Sequence, residues 1–205
     1  MSNALSCKVV IIGESNAGKT CIIKTFIESS SVSNVEATVN ATYYNKVLDF
    51  GNKKRVSFDV WDTNGHEKFR TLTKLFYTNA AVGILVYDVT NKNSFNEIKN
   101  FWYDELKKNG DENIVIAIVG NKIDKFYEEE VTENEGREYA NSVGAIFQLT
   151  SCVQNQGIQE LFKQCGEKYL DIYKDCFAEK EQNQTIILKH GKNVGKTVKK
   201  KRRKC

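Results

Sequence analysis

The sequence predicts an α/β domain on a mainly parallel sheet, with one antiparallel hairpin at its edge. Three observations predict it. Short apolar runs alternate with stretches of helical periodicity from residue 7 to residue 173. Two period-two segments flank Gly51-Asn52, the pattern of a hairpin. A glycine-rich loop, Gly13-Glu14-Ser15-Asn16-Ala17-Gly18-Lys19-Thr20, separates the first apolar run from the first helical one.

Residues 7–12 form a short apolar run directly against that loop, which predicts a core strand rather than a signal peptide. Residues 18–29 read as a helix. Residues 42–50 and 54–62 alternate apolar and polar and form the hairpin. Residues 82–88 and 114–120 are nearly continuous apolar strands, as parallel strands covered on both faces require, and 146–150 is a shorter one. Helical periodicity returns over 94–108, 132–143 and 158–173. Ser94 with Glu97, and Thr132 with Glu135, have capping-box spacing. The domain ends near Lys174.

At 205 residues the chain suits one domain with a short extension, and its 40% of hydrophobic residues supply a core. The net charge of +4 is uneven: nine of the 30 basic residues and no acid lie in 189–205, which leaves 21 basic against 26 acidic residues in the rest. A mildly acidic body with a basic tail points to an anionic partner for the tail alone. Residues 175–205 are polar, then basic, and read as a flexible tail. Gly191-Lys-Asn-Val-Gly195-Lys196-Thr197 there resembles the glycine-rich loop but is one residue short between its glycines and follows no strand. The six cysteines have no CxxC spacing and no histidine at ligand spacing, which argues against a zinc site. No run approaches the ~20 apolar residues of a membrane span. The expected compartment is the cytoplasm, with free thiols.

The loop from Gly13 to Thr20 fits G-x-x-x-x-G-K-[ST] between strand and helix. Its glycines let backbone N–H groups converge on phosphate oxygens. Lys19 brings a point charge to the β- and γ-phosphates, and Thr20 offers a hydroxyl to Mg²⁺, a hard ion that takes oxygen ligands. Asp62 closes a strand in Val60-Trp61-Asp62-Thr63-Asn64-Gly65-His66-Glu67, where a carboxylate can hold a Mg²⁺-bound water; Gly65 can turn its N–H to a γ-phosphate. Asn121-Lys122-Ile123-Asp124 follows another strand. The Asp124 carboxylate can accept two N–H bonds from guanine, a donor pair that adenine lacks. The stem of Lys122 can lie over the purine, and Asn121 would tie this loop to the phosphate loop. Thr150-Ser151-Cys152, after the next strand, would close the base pocket with the Cys152 backbone N–H.

These stretches, with WDTNGHEKFRTL, GILVYDVTNKNSF and NIVIAIVGNKID, resemble the Ras superfamily of small GTPases over residues 5–174, and within it the Rab family of vesicle-traffic regulators. The Gly13-Glu14-Ser15 start and NIVIAIVGNKID resemble its early-endosome branch. The resemblance implies a P-loop small G domain: a six-stranded, mostly parallel sheet with five helices, an antiparallel edge hairpin, and a GTP-on, GDP-off cycle with Mg²⁺. It implies nucleotide contacts from Ser15, Asn16, Ala17, Gly18, Lys19, Thr20, Cys21, Thr38, Gly65, Asn121, Lys122, Asp124, Ser151, Cys152 and Val153. Mg²⁺ would be held through Thr20, Thr38 and Asp62. Lys19, Thr38 and His66 take the catalytic positions, with switch segments over 32–45 and 64–80. Effector, exchange-factor and GTPase-activating proteins are the implied partners, and nucleic acid is not.

The sequence departs from the family at chemically meaningful positions. His66 stands where the family has Gln, Asn64 replaces Ala, Ser31 replaces an aromatic that stacks on guanine, Val153 replaces a Lys over the base, and Asn40 replaces Gly. Two readings therefore stand: a slow GTPase, and a nucleotide-gated binding module with negligible turnover. The tail ends Lys199-Lys-Lys-Arg-Arg-Lys-Cys205. The resemblance implies geranylgeranylation of Cys205, with the basic run as a second membrane signal at the cytosolic face of endomembranes, endosomes favoured. This ending is neither C-a-a-X nor a double cysteine.

Overall fold

The computed structural model describes residues 4–30, 42–62 and 77–173. One compact unit spans Met1–Tyr169, and a second runs from Leu170 to Cys205.

Six strands form one sheet: β1 (Leu5–Ile12), β2 (Thr42–Asp49), β3 (Arg55–Asp62), β4 (Val82–Asp88), β5 (Val115–Asn121) and β6 (Ile146–Thr150), in the order β2-β3-β1-β4-β5-β6. Only β2 and β3 pair antiparallel; every other neighbour is parallel. The described residues hold five α-helical segments: α1 (Lys19–Glu28), α2 (Lys92–Glu97), α3 (Tyr103–Asn109), α4 (Glu133–Ser142) and α5 (Ile158–Ile172). One π turn, Ile98–Trp102, carries α2 into α3 without a break. The six-stranded small-G-domain architecture expected from the sequence is the one observed.

Two local expectations change in detail. The helix that opens with α2 is capped by Asn91, whose side chain accepts from the Ser94 N–H at 3.1 Å, so Ser94 is not the cap. Ser94 is buried instead, its Oγ accepting from the Asp88 N–H at 3.0 Å and so fastening the end of β4. Asn caps a helix start as well as Ser does, and the Ser hydroxyl is worth more where a buried N–H needs a partner. The Thr132 cap stands as expected, its Oγ1 accepting from the Glu135 N–H. The β2–β3 turn is also longer than Gly51-Asn52: Gly51, Asn52 and Lys53 all have positive φ, closed by Phe50 N–H donating to the Lys54 carbonyl at 2.8 Å.

The sheet is covered on both faces, so β4 and β5 are buried along their whole lengths. On one face Val10, Ile12, Leu85, Tyr87, Ile116 and Ile118 pack with Phe95, Ile98, Trp102 and Leu106 from the α2–α3 rod. A second cluster joins α1, β3 and α5 through three rings. Phe26 stacks on Phe162 with centroids 3.6 Å apart, and Phe58 meets both edge-on at 6.0 and 5.8 Å. Lys46 of β2 reaches across to the end of α1, where its ammonium donates to the Phe26 carbonyl and to Ser29 Oγ. The last turn of α1 has no basic residue of its own, so a strand supplies the cation that a helix C-terminus favours.

Gly166 sits inside α5, where glycine weakens a helix by about 1 kcal/mol relative to alanine. Packing explains it: a Cβ there would stand 2.2 Å from Phe50 Cζ and 2.9 Å from Phe58 Cζ. Gly166→Ala is therefore expected to destabilise the domain by about 1–3 kcal/mol despite its better helix propensity. The check is the urea midpoint of the nucleotide-saturated protein; an unchanged or higher midpoint contradicts this packing account.

Candidate nucleotide-binding site

β1 lies between β3 on one side and β4 on the other, so the chain diverges at its C-terminal end and leaves the crevice where open α/β sheets bind ligands. Strand register brings the predicted residues to that edge. Ile11 of β1 pairs with Asp62, and Asn121 pairs with Asp88 on one side and Thr150 on the other.

The phosphate loop is held by its glycines. Gly13 has φ +144, and a Cβ on it would stand 2.1 Å from the Val86 carbonyl oxygen. Gly18 has φ +93, and a Cβ there would stand 2.2 Å from Asn121 Nδ2. Both positions demand a residue without a side chain, because a positive φ and a backbone or amide neighbour leave no room for one. Ser15 is half-buried, Asn16 exposed with φ 62, and Ala17 buried. The Asn121 amide donates to the Ala17 carbonyl at 2.9 Å, and Asn121 Oδ1 accepts from Thr150 Oγ1 at 3.0 Å. This one side chain joins three loops.

Lys19 is 6% exposed, and its ammonium donates to the carbonyls of Gly13 and Glu14 at 3.0 and 2.8 Å. Burial pushes its pKa down to about 8, against the opposing pull of the Asp62 and Glu14 charges. A cation buried at this cost fits a loop built to receive an anion, since phosphate oxygens return the stabilisation that burial removes. The oxygen donors beside it suit a hard divalent cation. Thr20 Oγ1 donates to Asp62 Oδ2 at 2.7 Å, and Asp62 is fully buried. No group of three or more His, Cys, Asp or Glu side chains stands ready to hold a metal among the described residues. The Thr20 hydroxyl and Asp62 carboxylate, two oxygen donors side by side, suit Mg²⁺, which keeps several waters and shares one or two protein oxygens with substrate phosphates.

The side of the crevice that carries Asn121–Asp124 is built on strained and bridged backbone. Lys122 has φ 69, a left-handed conformation rare outside glycine, which carries the chain from β5 into the 3-10 stretch Ile123–Glu128. Its ammonium is anchored on Asp88 Oδ2 at 2.6 Å, which leaves the stem as the part free to cover a base. Asp124 Oδ1 accepts from Ser151 Oγ at 2.5 Å. Ser151 Oγ also accepts from the Gln154 N–H, and Ser151 and Gln156 exchange backbone bonds at 3.0 and 2.9 Å. Cys152 is buried, its Sγ 4.0 Å from Asn121 Oδ1, while Val153 is 61% exposed at the rim. Cys21 is half-buried in the first turn of α1.

Sequence reading missed three contributors. Asp88 holds Lys122, and its place at the end of a predicted strand was the available signal. Glu14 and Trp102 form the other contact: Trp102 Nε1, in the π turn, donates to Glu14 Oε1 at 3.3 Å. No periodicity announces a bond across 88 positions. Ser31, Thr38, Asn40, Asn64, Gly65, His66 and Cys205 lie outside the described residues.

A family model described as "Ras family" matches residues 8–171. Ras-related protein Rab-22A of Homo sapiens is 39% identical over 155 residues, covering 76% of this chain and 79% of that protein. Ras-related protein Rab-21 of Mus musculus is 43% identical over 159 residues, covering 78% and 71%, and Rab-31 of the same species is 38% identical over 156. These similarities identify the chain as a member of the Rab family of Ras-superfamily small GTPases, a GTP/GDP- and Mg²⁺-binding switch that regulates vesicle traffic with effector, exchange and GTPase-activating partners.

Proposed function

We propose that this switch reads guanine through Asp124, holds the phosphates on Ser15–Cys21, and turns over slowly because His66 occupies the water-positioning place. The observation that carries the reading is the Asn121 side chain, bonded at once to Ala17 and Thr150. Such a joint makes phosphate binding and base reading parts of one site.

Asp124 is oriented for its role. Ser151 Oγ donates to one carboxylate oxygen, which aligns the group and leaves lone pairs on both oxygens for the guanine N1 and exocyclic amine. Ser151, the Cys152 N–H and Val153 close the far side, and Lys122 lays its stem across the base. On the phosphate side, Lys19 brings a buried positive charge, and Thr20 and Asp62 hold Mg²⁺ with Thr38. The ion, when bound, neutralises charge building on the phosphate oxygens. Gly65 offers its N–H to the γ-phosphate.

His66 decides the rate. A glutamine can accept from the attacking water and donate to a phosphate oxygen together, whereas a neutral imidazole carries its one donor and one acceptor on different sides of a ring. Ser31 removes an aromatic cover from the base and speeds nucleotide release. The same substitutions favour a second reading, a binding module whose state is set by exchange alone.

The basic run 199–204 and Cys205 supply membrane attachment by one prenyl chain plus electrostatics. This suits a chain with no helix long and apolar enough to cross a membrane among the described residues. The resemblance of Gly13-Glu14-Ser15 and NIVIAIVGNKID to the early-endosome branch supports endosomal membranes as the place.

Three measurements test these assignments. Asp124→Asn should move preference from guanine toward xanthine by on the order of a hundredfold, the loss of about two base hydrogen bonds; competition binding with xanthosine diphosphate decides it, and retained guanine preference removes Asp124 from base reading. Single-turnover phosphate release should run at or below roughly 10⁻⁴ s⁻¹ and rise in His66→Gln combined with Asn64→Ala. A wild type faster than that double variant makes His66 a catalytic group in its own right. The geranylgeranylated chain should sediment with phosphatidylserine vesicles, less so as salt rises; Cys205→Ser should stay in the supernatant, and its co-sedimentation refutes the lipid anchor.

A further inference from the structure

The loop from Gly13 to Thr20 suits an anion, yet its second residue is an acid, and Glu14 is the one acid in it. A carboxylate there opposes the ligand that the loop serves, because like charges at close range repel. The charge is near enough to matter. Burial lowers the Lys19 pKa, and the Glu14 charge is one of two that pull it back up. A phosphate drawn to Lys19 comes within range of the same carboxylate and is repelled by it.

The structure gives this carboxylate a definite place. Trp102 Nε1 donates to Glu14 Oε1 at 3.3 Å. Trp102 closes the π turn Ile98–Trp102, is 1% exposed, and belongs to the core cluster of the helical rod and the sheet. A buried indole cannot follow a moving partner, and its N–H is a donor only. Glu14 is only half-buried, and its backbone faces a second task, since its carbonyl accepts from the Lys19 ammonium at 2.8 Å. One residue thus serves the lysine with its main chain and meets the rod with its side chain.

We propose that Trp102 is a positioning residue: its indole N–H stows the Glu14 carboxylate on the helical rod and so sets the loop's preference between a nucleoside triphosphate and a diphosphate. The inference rests on the reading that residues 15–21 hold the phosphates. With the indole bond in place, the carboxylate is constrained to the rod. Without it, the side chain samples further rotamers, some of them nearer the phosphates. The added repulsion grows with ligand charge, and a triphosphate carries about one more negative charge than a diphosphate. A purely packing role for the indole has no such dependence on ligand charge.

The test measures dissociation constants of the full chain for a non-hydrolysable GTP analogue and for GDP, both with Mg²⁺. Trp102→Phe keeps a buried ring and removes the N–H. It should weaken the analogue about fivefold more than GDP, the scale of one partly screened charge pair, and this excess should shrink as salt rises. In a Glu14→Gln background the same substitution should leave the ratio of the two constants unchanged, because the amide carries no charge. Glu14→Asp keeps the charge, shortens its reach to the indole and leaves the core intact. It should reproduce the excess, and adding Trp102→Phe to it should add none. A loss equal for both nucleotides, or an excess that persists with Glu14→Gln, makes Trp102 a packing residue and overturns the proposal. A wild-type ratio in Glu14→Asp overturns it too, and this arm decides the matter if Trp102→Phe does not fold. Lys19→Ala tests the reading beneath. If it binds both nucleotides as tightly as wild type, the phosphates lie elsewhere and reading and proposal fall together. If it loses them while Trp102→Phe keeps the wild-type ratio, the proposal falls alone.

Discussion

Both ends of the Asn121 carboxamide are engaged inside the protein: Nδ2 on the Ala17 carbonyl and Oδ1 from the Thr150 hydroxyl, with the whole residue only 2% exposed. The remaining geometry of the site depends on this bridge. It sets how far the glycine-rich loop stands from the Asn121–Asp124 loop, and its amide nitrogen occupies the space that a side chain on Gly18 would need. A buried amide left without a partner costs about 1–3 kcal/mol. Loop positions that break either bond are therefore penalised, and two otherwise independent segments behave as one.

The bridge works because parallel strands end together. Core packing on both faces fixes the register of β1, β4, β5 and β6, and register delivers Asp88, Asn121 and Thr150 side by side at one edge. Among the described residues, six of the eight buried polar ones collect there: Lys19, Asp62, Asp88, Asn121, Thr150 and Ser151. Thr25 and Ser94 are the other two, and the remaining core is apolar. Such a division concentrates the cost of polar burial where ligand chemistry uses it, and leaves stability to the aromatic and aliphatic layers.

Charge at the phosphate loop follows the same division. Lys19 is held by carbonyls and by two nearby carboxylates, of which Glu14 is itself kept in place by the Trp102 indole. The π turn that presents Trp102 is a helix irregularity of the sort that gathers at functional sites. Through it the helical layer, and not only the sheet, touches the phosphate loop.

The sequence by itself determined the order and type of the elements. It also gave each loop a candidate chemistry, because a glycine-rich turn before a helix, a carboxylate at a strand end and Asn121-Lys122-Ile123-Asp124 are local patterns with local physical meaning. It placed the hairpin and the Thr132 cap. It misplaced the cap at Ser94, because Asn91 and Ser94 are both good capping residues, and only burial against the end of β4 shows which hydroxyl is needed inside. The tie from Asn121 to the phosphate loop was also legible, and the structure gives its partner as Ala17. Only the tertiary structure decided the other long-range pairings: Lys122 with Asp88, Asp124 with Ser151, and Trp102 with Glu14. Periodicity tells which face of an element is apolar. It carries no information on how strands register across a sheet, and register alone decides which side chains, far apart in the chain, arrive at the same edge.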